Sequence, residues 1–89
     1  MAAPSVTMYT GSFCPYCDRA RALLEKKGVA FTEINVEDDA RHRTEMMTRS
    51  GRRTIPQIFI GERHVGGSDE LRELERSGEL DKLLRDGAG

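Results

Sequence analysis

The chain has two cysteines, and both stand in Ser12-Phe13-Cys14-Pro15-Tyr16-Cys17-Asp18. That spacing admits a structural disulfide, half of a metal site, or a pair that cycles between thiol and disulfide. As a staple the pair closes a very short loop, for which chain entropy predicts only about 2 kcal/mol, and a reducing cytosol would open it. A zinc site needs about four ligands. Beyond the cysteines the sequence offers His42 and His64, at no recognisable finger spacing. A redox pair asks for something else: one sulfur held as thiolate and a second within its reach. Pro15 suits the first position of a helix, which puts Cys14 at the N-cap, facing unpaired N–H groups and the positive end of the helix dipole. Cysteines so placed have pKa values from near neutral down to ~3.5, against ~8.5 for a free thiol. Cys17, three residues on, faces the same side one turn deeper, in line with Ala20 and Leu24, where burial keeps it protonated until it is needed. Cys14 is therefore the expected nucleophile and Cys17 the resolving thiol.

The elements that must hold this pair can be read along the chain. Ser5 to Tyr9 alternate as a strand beginning after Pro4 and ending at Thr10-Gly11. A helix starts at Pro15, carries Cys17, Ala20, Leu23 and Leu24 on one face, and stops near Lys26-Lys27-Gly28. Val29 to Val36, with Phe31 and Ile34, reads as a second strand, so strand, helix and strand predict a right-handed unit with parallel strands. Asp38 or Asp39 starts a second helix to about Ser50, closed by Gly51, with a narrow apolar face at Ala40, Met46 and Met47. Ile55 to Ile60 reads as a strand whose Pro56 fits only its start or a sheet edge; Gly61-Glu62 turns it into Arg63-His64-Val65. Gly66-Gly67 break that strand, and Ser68 is expected to N-cap a third helix with Asp69 and Glu70 in its first turn and Leu71 and Leu74 on its buried side. Gly78 interrupts it, Leu80, Leu83 and Leu84 suggest a last turn or two, and a flexible tail is expected from Asp86. The order β-α-β-α-β-β-α defines an α/β fold with helices on a small mixed sheet.

The bulk numbers limit the function classes. With 89 residues, 37% of them hydrophobic, one small domain across residues 1–89 is expected. Fourteen basic against fifteen acidic side chains give net charge −1, which supplies no basic field for nucleic acid or acidic membranes. No apolar run is long enough to span a bilayer, and Met1-Ala2-Ala3-Pro4 has no signal-peptide character, so a cytoplasmic protein is expected.

Three motifs in this order, C-P-Y-C at Cys14–Cys17, T-I-P at Thr54–Pro56 and G-G-S-D at Gly66–Asp69, resemble those of glutaredoxins of the dithiol class. The flanking stretches YTGSFCPYCDRARALLEKKGV and RSGRRTIPQIFIGERHVGGSDEL extend the similarity over most of the chain. The resemblance implies a thioredoxin fold with a four-stranded mixed sheet flanked by helices. It also implies a glutathione-dependent thiol–disulfide oxidoreductase with no bound cofactor and no metal, using glutathione as cosubstrate.

Position by position, the resemblance implies a cis Pro56 beside Cys14. Taken alone, Pro56 reads as an edge-strand proline, since only ~5–6% of X-Pro bonds are cis; the resemblance is what raises the cis form. A cis bond would leave the Ile55 backbone free to pair with the cysteinyl part of glutathione like an added strand, next to Thr54. Gly67, Ser68 and Asp69 would hold the γ-glutamyl end, Asp69 facing its ammonium; by local sequence the same residues make an ordinary turn and N-cap. Tyr16 would meet the glycine carboxylate. The lysine that usually joins it is replaced here by Gly11, and Arg49, Arg52, Arg53 or Gln57 are the candidate substitutes. Implied partners are glutathione and disulfide-bearing or glutathionylated proteins, ribonucleotide reductase being a common family substrate, with the chain acting as a monomer. Two rival functions are a redoxin recycled by thioredoxin reductase, against which G-G-S-D argues, and a carrier of a glutathione-bridged [2Fe-2S] cluster, which Pro15 disfavours.

Overall fold

A computed structural model describes residues 4–86. Its elements are β1 (Val6–Thr10), α1 (Pro15–Lys26), β2 (Thr32–Asn35), α2 (Ala40–Ser50), β3 (Gln57–Ile60), β4 (Arg63–Gly66), α3 (Ser68–Ser77) and α4 (Glu79–Asp86). The sheet order is β2-β1-β3-β4, with β1 parallel to β2 and antiparallel to β3, and β4 antiparallel to β3. The α/β class and the mixed four-stranded sheet expected from sequence are both present.

Alternation along β1 and β3 sorts side chains to two faces, because successive strand residues point opposite ways. Val6 and Met8 of β1 and Ile58 and Ile60 of β3 pack with Ala20, Leu24, Leu71, Leu80, Leu83 and Leu84 from α1, α3 and α4. Tyr9 and Phe59 face the other way and close over Val36 and Met46, so α2 alone covers that side. Met46 is the one buried residue of α2, as its narrow apolar face predicts.

Several boundaries differ from the sequence reading: β1 starts at Val6 and not Ser5, β3 starts at Gln57 and not Ile55, and β4 runs on to Gly66, and three further differences have a clear physical reason. The second strand is Thr32–Asn35, shorter than 29–36. Val29 and Phe31 are spent as half-buried packing against the main core, and Val36 extends the ladder by one bond, its N–H donating to the Thr10 carbonyl at 2.9 Å. Ser68 is the first helical residue of α3 and not its cap: extended Gly67 caps, and Glu70 accepts from the Gly67 N–H at 2.7 Å. Gly78, in the left-handed region at φ 84°, ends α3, and the buried Leu80, Leu83 and Leu84 belong to a separate α4. Of the tail expected from Asp86, residues 87–89 lie outside the described residues, as do residues 1–3.

The β2 edge is dressed with charge. Arg21 of α1 makes a two-pronged contact to Glu33, at 2.6 and 2.9 Å, and a further bond to Asp18 at 2.7 Å. Among the described residues, no helix is long and apolar enough to cross a membrane.

Candidate functional site

Cys14 takes the N-cap of α1 in an extended conformation, and its Sγ accepts the Cys17 N–H at 3.1 Å. Pro15 is the first residue of the helix. The two cysteines form a disulfide with Cα atoms 5.2 Å apart. Their environments are unequal: Cys14 is half-buried, whereas Cys17 is fully buried on the same stripe as Ala20 and Leu24. In the reduced state the accessible sulfur is thus the one that faces the helix N-terminus, and the sulfur behind it is shielded from outside reagents. Phe13, at φ 54°, presents its ring wholly to solvent next to Cys14.

Beside the pair lies a cavity of about 230 Å³. It is lined by Tyr16, Thr54, Ile55, Pro56, Gly67, Ser68 and Asp69, the seven residues that the resemblance assigns to glutathione, together with Arg52, one of the candidate substitutes for the missing lysine, and Glu70. Neither cysteine is among the lining residues; Tyr16, between them in sequence, links the pair to the cavity. The Ile55–Pro56 peptide is cis. Gly67 passes so close to it that a Cβ there would stand 3.3 Å from the Pro56 carbonyl oxygen, which explains why this position carries no side chain.

Sequence reasoning did not foresee the link between Arg52 and Glu70. Arg52 donates to Glu70 at 2.9 Å, and the same carboxylate oxygen accepts the Gly67 N–H. One acidic group thus closes the start of α3 and holds a cation at the cavity rim. The signal present in sequence was a Glu three residues after a helix cap. The Gly67 N–H holds the Glu70 carboxyl below its usual value of 4.5; burial opposes it with a smaller effect, and the bond and charge of Arg52 add to the lowering. A depressed folded pKa gives stability that is fully present above the unfolded value and is lost as pH falls through the folded one. Glu70→Gln is therefore expected to lose less stability than the wild type on acidification below pH 4.5, measured by urea melts at pH 6 and pH 3. Equal losses in both proteins would show that the carboxylate is not held by these donors.

The other candidate substitutes for a lysine at Gly11 are used differently. Arg49 donates to the Tyr9 hydroxyl at 2.9 Å and stacks over Phe59 with its guanidinium 4.1 Å from the ring centre, on the α2 side of the sheet. Tyr9 in turn donates to Glu45. Gln57 is fully buried and turned inward. Arg53 is exposed and does not line the cavity. Gly11 itself is packed: a Cβ there would lie 2.5 Å from Ile55 Cδ1 and 2.8 Å from the Glu37 carboxylate, which accepts the Ser12 N–H at 3.1 Å. A side chain at this position would have to displace both. Among the described residues, no group of three or more His, Cys, Asp or Glu side chains could hold a metal ion.

A Cys-x-x-Cys pair at a helix N-terminus, on a four-stranded mixed sheet with a cis-proline leading into β3, defines a thioredoxin-fold dithiol protein. The Glutaredoxin family model matches residues 6–65. The chain is 52% identical over 81 residues to glutaredoxin 3 of Escherichia coli K12, covering 91% of this chain and 98% of that protein. It is equally identical over 81 residues to a glutaredoxin of Pseudomonas aeruginosa, with 91% and 96% covered at 52% identity. The solution structure of a Brucella melitensis glutaredoxin superposes with TM-score 0.88 at 50% identity, covering 100% of this chain and 97% of that one. A buckwheat glutaredoxin–glutathione complex superposes with TM-score 0.83 at 27% identity, covering 91% and 76%. The chain belongs to the glutaredoxin family, and its Cys14–Cys17 pair is that of a thiol–disulfide oxidoreductase.

Proposed function

We propose that the protein reduces glutathione mixed disulfides and protein disulfides at the expense of glutathione. The observation that carries this reading is the convergence of T-I-P, G-G-S-D and the tyrosine of C-P-Y-C around one cavity next to the nucleophile. Glutathione is a strand-like tripeptide with an ammonium and a carboxylate at one end and a second carboxylate at the other. Asp69 suits the ammonium, and the Gly67–Ser68 turn at the start of α3 suits the adjoining carboxylate. The Ile55 backbone suits the cysteinyl amide by strand addition. Arg52 is the one cation lining the cavity, so we assign it the glycyl carboxylate, beside Tyr16. The buckwheat relative solved with glutathione supports the same reading.

In the forward direction the Cys14 thiolate attacks the glutathionyl sulfur of a mixed disulfide. A new S–S bond forms to Cys14 and the substrate thiolate leaves with the old bonding pair, taking up a proton. Free glutathione, as thiolate, attacks the glutathionyl sulfur on Cys14 and departs as glutathione disulfide, which regenerates the Cys14 thiolate. With a protein disulfide, Cys14 attacks one substrate sulfur and the other leaves as a thiolate; Cys17 gives up its proton and attacks Cys14 Sγ, closing the internal bridge as the second substrate thiolate leaves, and two glutathiones reopen the bridge, departing as glutathione disulfide. Family potentials of roughly −200 to −230 mV lie near the glutathione poise, so both directions are accessible. The reading extends to one domain over residues 1–89, working as a monomer in the cytoplasm on glutathionylated or disulfide-bearing proteins, ribonucleotide reductase among the candidates.

The test is reduction of a small glutathione mixed disulfide coupled to glutathione reductase and NADPH. Turnover is expected, and Arg52→Gln should raise the KM for glutathione by about three- to tenfold with little change in kcat. Turnover with thioredoxin reductase alone would overturn the reading in favour of a redoxin. A brown, visibly absorbing protein after anaerobic iron and sulfide loading, without disulfide reductase activity, would favour a cluster carrier.

A further inference from the structure

Gln57 is a fully buried polar side chain that points toward the Tyr9, Val36, Met46 and Phe59 side of the sheet, where its neighbours are apolar. Burying an amide costs stability unless its groups are bonded. Its bonds run in one direction. Nε2 donates to both the carbonyl and the hydroxyl oxygen of Thr54, each at 3.0 Å. Two oxygen acceptors on that nitrogen fix which way the amide faces, so Oε1 must accept, and it does so from His64 Nε2 at 2.6 Å. His64 is in turn held by its ring, tilted 33° against Phe59 with centroids 5.0 Å apart, while Arg49 stacks on the same phenyl ring.

Thr54 is exposed and belongs to the segment between α2 and β3 that has no regular structure, yet it forms part of the cavity wall. Gln57 is paired with Tyr9 in the central ladder. The side chain therefore ties a loop that lacks a ladder of its own to the central β1–β3 ladder of the sheet.

We propose that Gln57, oriented by His64, is a positioning residue that pins the Thr54–Ile55–Pro56 wall so that the Ile55 backbone is presented in register to a bound peptide thiol. The inference rests on the glutathione reading above. Strand addition depends on donor and acceptor standing at fixed places before the ligand arrives, and a wall that must be ordered on binding loses affinity. The effect falls on binding of glutathione and not on the sulfur chemistry, because Gln57 touches neither cysteine.

The experiment compares Gln57→Leu, Gln57→Glu, His64→Phe and Met46→Ala. The second keeps size and the acceptor for His64 but removes both donations to Thr54; the third keeps the ring stack and removes the bond to Gln57. Met46→Ala empties the same face of the core without touching Thr54, and controls for loss of stability. Two quantities are read: KM and kcat for glutathione in the coupled assay, and amide hydrogen exchange at residues 54 and 55 relative to the β1–β3 ladder. Both Gln57 variants are expected to raise KM about five- to tenfold with kcat within about twofold, and to speed wall exchange beyond any change in the ladder. His64→Phe should move the same quantities in the same direction, and Met46→Ala should lower Tm with KM unchanged. Unchanged KM and wall exchange in the Gln57 variants, or an equal rise in Met46→Ala, would overturn the proposal. Should the wild type show no glutathione-linked turnover, the reading beneath it fails, and wall exchange alone then decides whether Gln57 pins the loop.

Discussion

Cys14→Ser is expected to abolish turnover of a small glutathione mixed disulfide, by at least about 1,000-fold, while Cys17→Ser keeps turnover of the same order as the wild type. Serine at the N-cap would still accept the N–H that Cys14 accepts, so the helix start survives and the loss is chemical. A serine hydroxyl is far less acidic than a thiol, so an alkoxide is not formed under conditions where a capped thiolate is. Cys17 cannot take over, because it is fully buried behind Cys14. The second mutant separates two routes. Small mixed disulfides need only Cys14 and glutathione, whereas a protein disulfide needs Cys17 to release the trapped substrate. Cys17→Ser should therefore fail to reduce insulin and accumulate a covalent adduct, visible as a mass shift on a non-reducing gel. Insulin reduction at the wild-type rate by Cys17→Ser would show that release does not pass through Cys17.

Leu24→Ala carries the second large effect, on stability. Leu24 is fully buried on the α1 stripe, one turn beyond Ala20 and two beyond Cys17, within the cluster that joins α1 to β1, β3, α3 and α4. Removing the isopropyl end of its side chain leaves a cavity that rigid sheet residues on the far side cannot fill, at a cost of about 3 kcal/mol. In a domain of this size that lowers Tm by roughly 12–24 °C. Urea melts of the reduced proteins should show a lower midpoint at unchanged slope. A cost below about 1 kcal/mol would mean that α1 is not seated through this residue, and the placement of Cys17 would then need another explanation.

Much of the site was legible because its signals are local. Pro15 after Cys14 announces a helix start, and the i, i+3 spacing buries Cys17, without reference to the rest of the chain. The Gly61-Glu62 turn gave the antiparallel β3–β4 pair, whereas the pairing of β1 with β3 was seen only in the fold. What was not legible depended on contacts distant in sequence. Val29 and Phe31 have strand-forming side chains, but the core claims them before the β1–β2 ladder begins. Ser68 is as good a cap as any by type, yet Glu70 reaching back makes Gly67 the cap. Arg52 and Glu70 are 18 positions apart, and only the fold brings one to the other. Gln57 next to Pro56 looked free to meet a ligand; its burial follows from the face that β3 turns to α2. The cis bond and the roles at Ile55 and Asp69 came from family resemblance, since a proline or a glycine pair alone does not distinguish a binding wall from an ordinary turn.

The charged dressing of β2 has a consequence for how the protein behaves in a crowd. An open sheet edge is where self-association begins, because its unpaired backbone can accept a strand from a second copy. Here the outer edge is four residues long, with Thr32 and Glu33 exposed and Glu33 clasped by Arg21. A second molecule laying a strand there would have to break that clasp and bury the freed charges. Glu33 and Arg21 thus act as gatekeepers against strand-on-strand growth at the β2 edge.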